Sequence, residues 1–319
     1  MFGKKLKPVY VINGFLDSGK SSFFSYTIAQ PYFQTSGTTL LIVCEEGEVE
    51  YEEKLLAQTH TVMVTFDSQE EMNPSALMRL EKKYDPERVL IEYNGMWDFR
   101  NFKIPHAWRL EQQITTIDAS TFSMYFTNMR SLLAEQLRRS ELIMFNRCDG
   151  IDEKTLASYK RNVKAINTQA DMVFEDQNGE IDMTMEEDLP YDLQQDPIVL
   201  EGLDYGIWYI DAMEHPDRYV GKRITYTGMV MIPEAGDFPK GYFVPGRMAM
   251  TCCANDMQFL GYACRSDQAA SLKEREWVRV TAVVRKENFA AYNGMGVILE
   301  AESIEPAAQP KDPVINFAG

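Results

Sequence analysis

In the first half of the chain, apolar residues gather into short continuous runs. These are Val9–Asn13 (VYVIN), Thr38–Cys44 (TTLLIVC), Thr61–Phe66, Arg88–Tyr93 (RVLIEY), Ile114–Asp118 (ITTID) and Glu141–Phe145 (ELIMF). Runs this short, rich in Val, Ile and Thr, predict strands buried on both faces. Ser22–Gln30, Pro74–Lys83 and Phe122–Arg139 lie between them and read as helices, with Leu77 and Leu80 on one face of the second. Strands alternating with helices predict an α/β domain with a mostly parallel sheet, right-handed crossovers and helices on both faces. From about Gly202 the texture changes. Lys222–Ile232 (KRITYTGMVMI), Trp277–Lys286 (WVRVTAVVRK) and, less cleanly, Gly296–Ile304 alternate polar and apolar residues as half-buried strands do. Asn293-Gly294 is a hairpin signal. This half predicts a small antiparallel β domain, OB-like, preceded by a helix over Ile207–Met213. The expected division is an α/β domain over 1–195, an acidic linker over 196–206, the β domain over 207–305 and a loosely held tail over 306–319 with Pro310 and Pro313.

The first apolar run discharges into Gly14-Phe15-Leu16-Asp17-Ser18-Gly19-Lys20-Ser21-Ser22, which fits G-x-x-x-x-G-K-[ST] in the strand–loop–helix setting that motif requires. Gly14 and Gly19 let the backbone curl so that successive N–H groups face phosphate oxygens. Lys20 adds a fixed charge for the outer phosphates, and Ser21 offers a hydroxyl to Mg²⁺. The helix that follows presents its positive end. The expected nucleotide contacts are therefore Gly14, Asp17, Ser18, Gly19, Lys20, Ser21 and Ser22, on a P-loop NTPase fold. Asp17 places a carboxylate inside the loop, which calls for a compensating cation or inward-facing amide.

Composition narrows what such a domain serves. Of 319 residues, 48 are acidic and 32 are Lys or Arg, giving a formal net charge of −16. That balance argues against nucleic acid and against docking on an anionic membrane surface. No apolar run approaches the roughly 20 residues of a spanning helix, and the basic start Met1–Pro8 leads into a strand rather than a secretory apolar stretch. Five scattered cysteines fit a reducing compartment, so the expectation is a cytoplasmic protein without membrane insertion. From Ala165 to Asp217 there is no Lys or Arg, which reads as solvated linker and domain edge, or alternatively as an acidic interaction surface.

The remaining candidates sit at strand ends, where ligands of such sheets bind. Asn146-Arg147-Cys148-Asp149 stands where a guanine-reading N-K-x-D would stand. Asp149 there can accept from both N1–H and the exocyclic amine of guanine, Asn146 can hold the loop, and Arg147 can cover the base. Glu45, Glu48 and Glu92 are the carboxylates nearest in topology for Mg²⁺ or for orienting the attacking water, with Ser21 as the first metal ligand. Glu92 follows Leu90-Ile91 as a Walker-B acid should. Lys20, Glu92 and Glu45 are thus the expected catalytic set. In the second half, Cys252-Cys253 and Cys264 could hold a soft metal such as Zn²⁺, although adjacent cysteines in extended chain point to opposite faces. The alternative is buried structural thiols. His60, His106 and His215 make no ligand spacing with them.

Taken together, Pro8–Ser22 (PVYVINGFLDSGKSS), Ile42–Val49 (IVCEEGEV), Glu92-Tyr93-Asn94-Gly95, Ile117-Asp118-Ala119 and Asn146–Asp149 resemble the CobW-like P-loop GTPases, which are grouped with the nickel-accessory GTPases of urease and hydrogenase. The resemblance covers about the first 195 residues and implies a GTP- and Mg²⁺-dependent switch. Members that handle metal carry a Cys-x-Cys-Cys cluster between the switch segment and Walker B; here Glu50–Arg88 contains no cysteine. The second half is similar to an uncharacterised domain at the C-terminus of putative permease subunits, through Tyr219–Lys222, Arg247, Cys252–Asp256 and Trp277–Val280. That likeness implies a protein partner such as a membrane permease; a metalloprotein target and a homodimer are the other partners expected. The reading is a slow GTPase switch. The alternatives are a metallochaperone using Cys252, Cys253 and Cys264, or a non-hydrolysing nucleotide-binding adaptor of a permease.

Overall fold

The computed structural model describes residues 6–45, 47, 49–181, 189–234, 238–250 and 257–317, in two compact units that divide after Met185. The first unit runs β1 (Lys7–Asn13), α1 (Lys20–Ala29), β2 (Thr39–Val43), α2 (Glu53–Gln58), β3 (Thr61–Thr65), α3 (Pro74–Tyr84), β4 (Arg88–Glu92), β5 (Trp108–Asp118), α4 (Ala119–Asn128), α5 (Arg130–Leu137), β6 (Leu142–Asn146), α6 (Glu153–Ile166), β7 (Asp171–Asp176) and β8 (Gly179–Glu180). Its sheet has the order β3-β2-β4-β1-β5-β6-β7-β8, and every pairing is parallel except the terminal β7–β8 pair. The sheet is the one the apolar runs predict: β2 and β4 are buried at every position, as strands covered on both faces must be. Val9, Val11, Leu40, Ile42, Val89 and Ile91 face one apolar layer, and Ile12, Phe24, Ile28, Leu41 and Leu90 the other. Parallel pairing puts the ends of β1, β2, β4, β5 and β6 on one edge, where Gly14, Cys44, Tyr93, Ala119 and Arg147 follow in turn.

Several boundaries differ from the pattern-based expectation. The single helix expected over Phe122–Arg139 is two, broken at Met129 with φ −128° and ψ 30°. Asp118 starts α4 early by capping Ser120 N at 2.9 Å. At the break, the Asn128 side chain donates to Met124 O at 2.9 Å, a local bond that competes with helix continuation. β5 extends back to Trp108, its polar first half pairing with Lys7–Val9 of β1.

The second unit contains β9 (Ile198–Leu200), α7 (Leu203–Glu214), β10 (Arg223–Met231), β11 (Tyr242–Met250), β12 (Met257–Gly261), β13 (Cys264–Arg265), β14 (Trp277–Phe289), β15 (Gly294–Pro306) and β16 (Val314–Asn316). Pairings close a ring of five strands, β10-β11-β13-β15-β14 and back to β10. Only the β13–β15 step in that ring is parallel. Asn293 turns β14 into β15 with φ 54°, as the hairpin signal predicts. Residues 196–206, expected as linker, instead carry β9, which pairs with β10, and the start of α7. The tail expected to be loose carries β16, paired with β11, with Ile315 and Phe317 buried. The aromatic residues of α7 pack inward: Trp208 and Tyr205 are fully buried against Tyr226.

Candidate nucleotide-binding site

The loop after β1 bends as its two glycines allow. Gly19 has φ 98°, and a Cβ there would lie 2.5 Å from Asn146 Nδ2. That close approach lets Asn146 donate to Ser18 O at 2.7 Å, tying the β6 end to the phosphate loop. Ser18 Oγ and Thr116 Oγ1 share a hydrogen bond of 2.9 Å, which anchors the loop to β5. Asp17 takes φ 58°. Asp17, Lys20, Ser21, Glu45, Glu92 and Arg147 are among the residues lining one cleft at this edge, with Gly19 and Ser22 beside them.

Two acids close on the motif's two functional groups. Lys20 Nζ donates to Gly14 O at 3.0 Å and Phe15 O at 2.8 Å, and lies 2.6 Å from Glu45 Oε2. The Glu45 contact is an ion pair off the hydrogen-bonding line, and both side chains are within a tenth of full burial. Ser21 Oγ donates to Glu92 Oε1 at 2.8 Å, and Tyr51 OH donates to Glu92 Oε2 at 2.5 Å. Burial pushes the Glu92 carboxyl above its usual range, opposed by the Tyr51 and Ser21 hydrogen bonds and by Lys20. Burial and the Glu92 charge push the Tyr51 phenol up. Burial first, then the Glu92 charge, also raise the Cys44 thiol, whose Sγ donates to Met72 Sδ at 3.4 Å. The strand ends are further laced by Asn94 Nδ2, which donates to Cys44 O at 3.1 Å, and by Gln136 Nε2, which donates to Gly95 O at 2.7 Å.

The base-reading stretch is spread more openly. Arg147, at φ 56°, pairs through Nη1 with Asp118 Oδ2 at 2.5 Å. Asp149 is exposed and accepts from Gln177 N at 3.1 Å. Glu48, Cys252 and Cys253 lie outside the described residues. Cys264 is fully buried in β13, and desolvation raises its thiol well above the ordinary value. Among the described residues, no group of three or more His, Cys, Asp or Glu side chains is placed to hold a metal. Tyr51, Thr116 and Gln136 are the site neighbours that motif reasoning misses; the one signal for Tyr51 was a lone aromatic in the acidic run Glu48–Glu53.

A parallel α/β sheet with a glycine loop, a lysine held inside that loop and carboxylates converging at one edge defines a phosphate-binding-loop nucleotide domain. The family model for the CobW/HypB/UreG nucleotide-binding domain matches residues 8–174, more than half of the chain, and the chain belongs to that family. Residues 175–316 match the DUF1980 C-terminal domain. Both assignments agree with the resemblances carried by the motifs. Among solved structures, the chain is similar to the hydrogenase maturation factor HypB from Archaeoglobus fulgidus, at 16% identity over 54% of this chain and 82% of that one, with a TM-score of 0.40. It is also similar to the Zn(II)-bound YjiA GTPase from E. coli, at 19% identity over 56% of this chain and 60% of that one, with a TM-score of 0.40. No curated protein matches the chain.

Proposed function

We propose that this chain is a GTP-binding switch that hydrolyses GTP slowly by itself, with Mg²⁺, and that its nucleotide state controls a partner. The observation that carries the reading is the convergence of Lys20, Ser21, Glu45 and Glu92 in one cleft at the carboxyl edge of the sheet. The donor set fits a Mg²⁺–nucleotide: a glycine-lined cradle, a buried ammonium, and a hydroxyl backed by a carboxylate. Lys20 and the loop amides of Gly14–Ser22 take the charge of the phosphates. Ser21 holds Mg²⁺, supported by Glu92 or Glu45. The ion neutralises phosphate charge when bound. Glu92 or Glu45 orients the attacking water. Asn146 fixes the base loop, Arg147 covers the base and Asp149 reads guanine. Glu45 sits on the ammonium that phosphate would take, so nucleotide entry moves the Glu45 carboxylate, while Ser21 donates its proton to Glu92 and keeps its oxygen lone pairs for the metal.

The ring order of the second unit supports reading it as an OB-like barrel that serves as the output side. Its partner is a protein, a membrane permease or a metalloprotein target, and the setting is the cytoplasm. No helix among the described residues is long and apolar enough to cross a membrane. Zn²⁺ delivery through Cys252, Cys253 and Cys264 gains no support from Cys264, which is fully buried where desolvation disfavours the thiolate a metal needs.

The test is titration of the full chain with GDP, GTP and ATP, and of Lys20→Ala with the same ligands. The expected outcome is GTP and GDP binding well ahead of ATP, and loss of all nucleotide binding in Lys20→Ala. Retained affinity in that variant overturns the site; faster hydrolysis of ATP than of GTP overturns the base assignment.

A further inference from the structure

Glu92 is only 2% exposed, yet both of its oxygens are satisfied by hydroxyls. Ser21 comes from the first turn of α1, next to Lys20. Tyr51 lies just ahead of α2, downstream of Glu45 in the chain. The Tyr51 ring has an ordinary reason to be there: with Phe23, Leu55 and Leu56 it packs on the layer of Ile12, Phe24, Leu41 and Leu90. A phenylalanine would fill that space equally. What a phenylalanine could not do is donate to Glu92 Oε2. A buried carboxylate oxygen left without a donor is costly, and the terminal torsion of a glutamate is soft. One bond from Ser21 would leave the carboxylate free to rock; two bonds, one to each oxygen, fix its plane.

We propose that Tyr51 is the positioning residue of Glu92: its phenol holds the carboxylate so that Oε1 stays on Ser21, and so joins the metal side of the site to the segment running from Glu45. This rests on the nucleotide reading above and adds a specific residue to it. Glu45 grips Lys20 at one end of the segment and Tyr51 grips Glu92 at the other. The segment is therefore fastened to both the phosphate-charge and the metal-hydroxyl halves of the cleft. Partners of a metal site that act through another ligand usually matter tenfold or more to metal affinity or activity. Removing the phenol therefore acts on the Mg²⁺ response and leaves Mg²⁺-free nucleotide contacts alone.

The experiment compares wild type with Tyr51→Phe in the full chain. GDP affinity is measured in EDTA and across a Mg²⁺ titration, and melting of the ligand-free proteins is followed in parallel. The expected result is GDP affinity in EDTA within about twofold of wild type, with the Mg²⁺ concentration for half-maximal enhancement raised about tenfold. Tyr51→Phe melts somewhat lower in either case, because Glu92 Oε2 loses its donor; GDP affinity weakened equally in both arms would mark a merely structural tyrosine and overturn the positioning role. An identical Mg²⁺ response in the two proteins overturns the role of Tyr51 and leaves the nucleotide site standing. A wild-type chain that binds no GDP in either arm overturns the nucleotide reading and this inference with it.

Discussion

Lys20 and Glu45 form the most buried ion pair of the site, with side chains 3% and 9% exposed. Removing one partner of such a pair leaves the other charge in low dielectric, a loss of roughly 3–5 kcal/mol. Glu45→Gln is therefore expected to destabilise the ligand-free first unit by about that much, and to make phosphate ligands bind more tightly, since they no longer displace a carboxylate from Lys20. Thermal melts with and without tripolyphosphate check this: the ligand-induced rise should be larger in the variant, and an equal rise in both proteins would show that Glu45 does not compete for Lys20. The two members of this pair were unequally legible. Lys20 and Ser21 are fixed by a motif whose residues are neighbours in sequence and whose chemistry allows few substitutes. Glu45 was visible only as a carboxylate at a strand end, and Tyr51 not as a site residue at all. Its partner Glu92 is 41 residues away, and nothing local distinguishes a tyrosine that packs from one that also donates.

Among the elements, the close approach of β1 and β4 does most to shape the cleft. The turn after β4 runs directly over the turn after β1: a Cβ on Gly95 would lie 2.2 Å from Gly14 O and 2.7 Å from Phe15 Cα. These are main-chain atoms of the phosphate loop and cannot swing aside as a side-chain tip would. Gly95→Ala must push the loop out of shape, and overpacking of this kind costs about 1–3 kcal/mol. Because the shifted loop carries the amides that would hold phosphate, GDP affinity is expected to fall by about fivefold or more, while circular dichroism still reports the folded sheet; unchanged GDP affinity would mean the loop has slack that the packing does not suggest. The strands themselves were readable because a run buried on both faces has a strong composition signal, as β2 and β4 have. Helices were harder. α6, capped by Asp152 through Thr155 N at 3.0 Å, follows that cap directly, yet its apolar residues Leu156, Tyr159, Val163, Ala165 and Ile166 are set among charges. The break between α4 and α5 falls at the backbone of Met129, which no periodicity encodes.

At the scale of the whole molecule, composition misjudged the ends of the second unit while patterning found its middle. Low charge diversity and prolines read as linker and tail, but each segment contributes a short strand: β9 lies parallel to β10, and β16 lies parallel to β11. Three-residue strands offer too little alternation to register, and their burial is decided by residues far off in sequence. The tail is well held. Ile315 and Phe317 are buried, and a Cβ on Gly206 of α7 would lie 2.7 Å from Ile315 Cγ2 and 2.8 Å from Phe317 Cζ, so the absence of a side chain there makes room for them. Arg247, 3% exposed, donates to the backbone carbonyls of Asp312 and Pro313. A chain ending at Pro306 would lose two buried apolar side chains and leave a buried guanidinium short of acceptors, a loss on the order of 5 kcal/mol. The second unit of that variant should melt separately and at lower temperature in calorimetry. GDP affinity should stay within about twofold, because every residue assigned to the cleft belongs to the first unit. A truncated chain whose second unit melts as in the full chain would mean that β16 is an ornament on β11, and that Gly206 and Arg247 are shaped by something other than the tail.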